Sequence, residues 1–130
     1  MAIDATPITV AGRELGVHRH ICAFFNSDEE QLDTLLPFVR ADLAPSDKAF
    51  HIVDSERRDD YLSRMKAGGV NVDQATASNQ LEVRIWEEAY LKPGWFDQHA
   101  MIERIQDVLR SGKRGGFPIT RLVAHMEWCL

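Results

Sequence analysis

The sequence predicts an α/β domain: one mainly parallel sheet flanked by helices. Three observations carry this. His20–Phe25, Lys48–Asp54 and Thr120–Met126 are short apolar runs with aromatic or β-branched content, the pattern of strands buried on both faces. Longer stretches between them place apolar residues at helical spacing. The two kinds of segment alternate along the chain, which favours a parallel sheet with crossover helices over segregated layers. A length of 130 residues suits one domain with a real hydrophobic core.

In chain order, residues 1–16 read as an N-terminal extension or short hairpin, with Ile8-Thr9-Val10 turning at Ala11-Gly12-Arg13. His20–Phe25 reads as the first buried strand. Ser27 and Glu30 form an S-x-x-E capping box, so a helix should begin near Asp28, with Asp28, Glu29 and Glu30 favoured by its dipole. Leu32, Leu35, Leu36, Val39 and Leu43 mark its inner face, and Pro37 should kink it. After the Lys48–Asp54 strand, Asp54 or Ser55 can cap a helix carrying Tyr61, Leu62 and Met65 inward and stopping at Gly68-Gly69. Asp73–Ser78 allows one or two helical turns. Gln80–Trp86 alternates polar and apolar, as a half-exposed strand near a sheet edge does. Glu87–Trp95 reads as a loop. Asp97 should cap a long amphipathic helix with Met101, Ile102, Ile105, Val108 and Leu109 inward, ending at Gly112 before the last strand. The chain stops without a closing helix, so it reads as a fragment of something longer.

Composition narrows the function. A net charge of −5 with scattered Lys and Arg offers no basic stripe for a phosphate backbone, so direct nucleic-acid binding is not expected. No apolar run approaches the roughly 20 residues that cross a bilayer, and no signal-peptide core is present. Two cysteines make no disulfide framework, and a cytoplasmic location is expected. Nucleotide chemistry fails at the turn Asn26-Ser27-Asp28-Glu29-Glu30, which has neither glycine nor lysine and carries three carboxylates. There is no G-x-S-x-G elbow, and Cys22 in apolar surroundings reads as inert core. No enzyme class gains support, and no cofactor is implied.

Two sites stay open on the residues alone. His18, His20 and Cys22 share a face if the strand begins early, and His51 could complete a zinc or copper set. Alternatively, aromatics at strand ends and in the loops after them (Phe24, Phe25, Trp86, Tyr90, Trp95, Trp128) could line a pocket for a small organic ligand.

The order of motifs resembles one known family. His20-Ile21-Cys22-Ala23-Phe24-Phe25, Leu36-Pro37-Phe38-Val39 and Phe50-His51-Ile52-Val53-Asp54 look like the opening of a MEDS domain. This is the sensory domain named after methanogens, methylotrophs and the dichloromethane-responsive regulator DcmR. Gly68–Val72, Gln80-Leu81, Tyr90–Asp97 and Arg121–Trp128 agree, so the resemblance covers 17–130. It implies a RecA-like, P-loop-type fold with a degenerate nucleotide site, sensing small hydrocarbon derivatives or C1 compounds. It also implies an output partner: a kinase, anti-sigma or DNA-binding module. His20, Tyr90, Arg121 and Trp128 fall on the family's signature positions. The final strand departs from it, reading Ala124-His125-Met126-Glu127-Trp128 where a Gly-Glu-Met-x-Trp-like run is usual.

The resulting expectation is a non-catalytic small-molecule sensory domain of a prokaryotic transcriptional or signalling regulator. Its ligand would be held by His20, Phe24, Phe25, Tyr90, Arg121, His125 and Trp128 at the strand carboxyl ends. A metal or redox sensor built on His18, His20, Cys22 and His51 is one alternative. A docking or dimerisation module on a dead NTPase fold is the other, and a homodimer stays open.

Overall fold

A computed structural model describes residues 8–16, 20–43, 47–89 and 94–127 of the chain. It is a mixed α/β domain whose three-stranded parallel sheet is flanked by helices. The N-terminal hairpin pairs β1 (Thr9–Val10) antiparallel to β2 (Arg13–Glu14). Ala11 and Gly12 both have positive φ in its turn, the conformation such tight connections require and glycine adopts at little cost.

Helix α1 (Asp28–Leu43) follows the capping box closely and runs through Pro37. The Glu30 N–H donates to Ser27 Oγ at 3.1 Å, and the Glu30 carboxylate reaches back to accept from Asn26 N at 2.7 Å. Strand β3 (Lys48–Val53) is buried at all six positions. Helix α2 (Arg58–Ala67) starts later than expected: Asp54 Oδ1 accepts from Glu56 N and Asp54 O from Arg57 N, so the carboxylate shapes a turn rather than a cap. Tyr61 and Met65 are its buried residues, as their spacing predicts. Helix α3 (Val72–Ala77) is capped by Asn71, whose side chain accepts from Gln74 N. Strand β4 (Leu81–Ile85) is followed by a 3-10 turn at Trp86–Glu88.

Helix α4 (Gln98–Arg114) is capped by Asp97, which accepts from His99 N and Ala100 N. It passes through Gly112 instead of stopping there. A Cβ at Gly112 would collide with Thr120 Oγ1, so this glycine serves close packing and the terminator is Gly115-Gly116. Strand β5 (Thr120–Ala124) ends the sheet, two residues earlier than its apolar run suggests.

The strand order is β4-β3-β5, with β3 central and parallel to both neighbours. Its alternating side chains make two cores. Ala49 and Val53 pack with Val39 of α1, Tyr61 and Met65 of α2, and Ala75 of α3. Phe50 and Ile52 face the other way, against Met101 and Val108 of α4. Helices α1, α2 and α3 therefore share one face, and α4 covers the other. Edge strand β4 is only partly buried beyond Leu81, as its alternation predicts.

One expectation fails. His20–Phe25 is not a strand: it makes no ladder with the sheet among the described residues, and five of its six residues are exposed, including Phe24 at 90% and Ile21 at 49%. Cys22 is exposed too, not core. Apolar, β-prone composition favours extended backbone but does not supply a pairing edge, and here the described sheet ends at β5.

Candidate functional site

The chemistry-bearing cluster lies at the carboxyl ends of β3 and β5, on the α1–α3 face. The register that pairs Ile52 with Ala124 brings the next residue, His125, over the sheet end, where its N–H donates to Ile52 O at 2.8 Å. His51 projects from β3 into the same layer and is fully buried. Tyr61, one turn into α2, joins them. Its hydroxyl lies 2.7 Å from His51 Nδ1, and its ring meets His125 edge-on at 5.2 Å. Above the cluster, the α1 N-terminus is tied to the loop before α2 by Arg57 Nη1 donating to Asp28 Oδ1 at 2.7 Å.

Electrostatics keep both imidazoles neutral. Burial, with the neighbouring His125 adding to it, pushes the His51 pKa down to about 3. Burial also lowers His125 and Arg57 adds to this, while Glu127 and Asp28 pull the other way. A neutral imidazole has one donor and one acceptor nitrogen. Tyr61 engages Nδ1 of His51, and the buried Nε2 has no hydrogen-bond partner among the described residues. Leaving such an atom unmatched in the interior costs about 1–3 kcal/mol.

The sequence-derived site residues separate. His125 is in the cluster. Arg121 is not: it sits near the start of β5, buried, donating to Asp47 Oδ2 at 3.1 Å with its guanidinium over the Phe38 ring at 5.4 Å. Four residues of strand, roughly 13 Å, separate it from His125. His20 and Phe24 are exposed and Phe25 is half-buried. His18, Tyr90 and Trp128 lie outside the described residues. The metal set is not assembled: His20 and Cys22 face solvent while His51 is turned into the core against Tyr61, and no metal-binding group of three or more His, Cys, Asp or Glu occurs among the described residues.

Tyr61, which the sequence shows only as one inward residue of a helix, is the addition. Trp86 also contributes, donating from Nε1 to His125 O at 2.8 Å and fixing the strand end from the α4 side. No local signal joins these residues, because the cluster forms only when the parallel register is set.

A separate groove lies elsewhere. It is about 700 Å³, sits between the β3–β4 surface and α4, and is lined by Lys48, Glu82, Arg84, Arg104 and Arg114 among others. Much of its charge is internally matched. Glu82 accepts from Lys48 at 2.6 Å and from Arg84 at 3.1 Å, and Arg104 donates to Glu88 O. Burial would raise the Glu82 carboxyl, but the bonds and charges of Lys48 and Arg84 override it and hold its pKa below the usual range. A floor already paired in this way makes fewer demands on a ligand than the His51 nitrogen does.

The family model described as MEthanogen/methylotroph, DcmR Sensory domain (MEDS) matches residues 19–130. The chain belongs to the MEDS family. The three strands of the parallel sheet, helices α1–α4 and the histidine cluster all fall within the matched region. MEDS is a family of sensory domains, so the cluster is the candidate site of a sensory module. Neither the curated proteins nor the solved structures compared with this MEDS domain gave a match.

Proposed function

We propose that this MEDS domain is a non-catalytic sensor of a small, neutral organic molecule, bound where β3 and β5 end. The observation that carries the reading is the fully buried His51, whose Nε2 has no hydrogen-bond partner among the described residues while its Nδ1 is held by Tyr61. A buried neutral imidazole suits a ligand with one polar atom on a largely apolar body. A charged ligand would have to shed its hydration against His51 and Tyr61, which carry no compensating charge. Hydrocarbon derivatives and C1 compounds have this character. His125 and Tyr61 shape the remaining wall, and the catalytic apparatus of the RecA-like fold that the family resembles is not required.

The ligand acts by binding one conformer better than another. The readout passes to an output partner in a transcriptional or signalling regulator. The loop after β4 is tied to the site through Trp86 and His125 O, which makes it the natural relay.

A thermal-shift screen of small alcohols, aldehydes and halogenated hydrocarbons tests this. A ligand present at 100 times its Kd stabilises by about 2.7 kcal/mol. That stabilisation should disappear in His51→Gln and Tyr61→Phe and persist in His20→Ala. A hit that survives both cluster variants would place the site elsewhere.

A further inference from the structure

Helix α4 packs over β3 and β5, where Met101 and Val108 meet Phe50, Ile52 and Ala124. It does not close over β4. There Leu81 and Val83 turn to the α1–α3 core, and alternation brings Glu82 and Arg84 to the α4 side, half-buried and exposed respectively. What remains between them is the groove of about 700 Å³, with β3 and β4 as its floor and α4 as its wall.

The sign of this groove opposes that of the molecule. Lys48, Arg84, Arg104 and Arg114 line it against Glu82, Glu88 and Asp107, four cations to three carboxylates, in a chain of net charge −5. Each carboxylate is already engaged: Glu82 by Lys48 and Arg84, Glu88 by the Ile85 N–H at 3.3 Å, and Asp107 by Arg110 at 3.3 Å. The two arginines on the α4 wall are not matched in this way. Arg104 donates to a neutral carbonyl, Glu88 O, and a guanidinium has four further N–H groups to give. Arg114 is exposed and enters no ion pair among the described residues. The floor is paired, and the wall asks for carboxylates.

The shape of the groove selects an extended chain. Arg104 and Arg114 are ten residues apart on one helix, roughly 15 Å along its axis. A volume of about 700 Å³ over that length leaves a cross-section of about 50 Å². An extended segment needs about 50 Å², from spacings of roughly 4.8 Å between strands and 10 Å between sheets. A helix, about 10 Å or more across, needs about 80 Å². Alternate side chains of an extended segment share a face, so residues i and i+4 stand about 13 Å apart, within reach of both guanidiniums. The residue between them, i+2, falls over Phe50 and Val108, which also line the groove.

We propose that this groove docks an extended acidic segment of the output partner, of the form acid-x-apolar-x-acid, with its two carboxylates on Arg104 and Arg114. Carboxylates suit the planar fork of arginine in charge-assisted pairs, and the apolar residue covers Phe50 and Val108. A nucleic-acid strand fits poorly, because its unbroken phosphates would meet Glu82, Glu88 and Asp107. The groove also reaches the turn that holds the sensing cluster. Glu88, whose carbonyl takes Arg104, is two residues from Trp86, which donates to His125 O. Assigning the segment to the output partner rests on the sensory reading, whereas the docking of an acidic segment stands on the groove alone.

Fluorescence anisotropy of a labelled peptide, Thr-Glu-Thr-Leu-Thr-Glu-Thr, titrated with the intact chain at low ionic strength tests it. Saturable binding is expected, at least about tenfold tighter than that of the same peptide with both Glu replaced by Gln. Arg114→Glu, at an exposed position, should weaken binding at least about tenfold. Of two peptides carrying a single Glu→Lys change, one should bind this variant as the parent peptide binds the wild-type chain, and which one gives the direction of docking. No saturable binding, equal binding of the Glu and Gln peptides, or a loss in Arg114→Glu that neither Lys peptide restores overturns the proposal. Single-stranded DNA that displaces the peptide at lower concentration than unlabelled peptide does overturns it too. So does a dimer in sedimentation that Arg114→Glu dissolves, because a second copy would then fill the groove.

Discussion

His20–Phe25 and Lys48–Val53 are near twins in sequence and opposites in structure. Each is a six-residue run containing a histidine, aromatic content and an isoleucine. The second is β3, with six of six positions buried between two parallel neighbours. The first carries Phe24 at 90% exposure. Composition is nearly the same, so composition does not decide burial. Partners decide it: β3 acquires β4 and β5 through two crossovers, whereas the earlier run pairs with no strand among the described residues. The two histidines diverge accordingly. His51 is locked neutral in the core, and His20 is left in solvent.

The strongest way to sharpen this contrast is truncation. Ile52→Ala in β3 should cost about 2–5 kcal/mol, as buried large-to-small changes do, read by urea unfolding. Phe24→Ala is the matched probe. Its side chain stands in solvent, so the change should stay within about 0.5 kcal/mol.

Close packing between α4 and β5 is the next lever. Gly112→Ala would press a methyl against Thr120 Oγ1 and should destabilise by about 1–3 kcal/mol, and Thr120→Ser should not relieve it, because the hydroxyl remains. A pH series probes the histidine. The folded-state pKa of His51 is depressed, so between its ordinary value of 6.5 and about 3 the unfolded chain binds the extra proton. Stability is therefore full above pH 6.5 and falls on acidification, by up to about 1.4 kcal/mol per pH unit for this one group. His51→Gln should flatten that slope between pH 6.5 and 5. Glu82, with its pKa held low by Lys48 and Arg84, adds its own loss only below about pH 4.5. At the α1 cap, Ser27→Ala should cost about 1 kcal/mol.

Much of this architecture is legible in the sequence for local reasons. The S-x-x-E box, Asp97 and the alternation of Gln80–Trp86 are signals in which the deciding atoms are close along the chain, and each appears in the structure. Errors fall where the deciding atom is distant. Gly112 looks like a helix stop until Thr120 is brought against it, and no local signal announces the pairing of Arg121 with Asp47, 74 positions away. The site was half visible: His125 and His51 were both singled out, but for different sites. Tyr61 gives no hint in a helix of ordinary amphipathic pattern, because its role exists only once β3, β5 and α2 meet.

The central claim is that His51, held by Tyr61 beside His125, is the polar anchor of the sensing site. Long-range proton–nitrogen NMR of the histidine rings, recorded while a stabilising compound from the screen is titrated in, tests it most directly. The account predicts that the largest change falls on His51 Nε2, with a smaller one at His125 and none at His99 on α4. A saturating ligand that leaves both His51 nitrogens unmoved would contradict it.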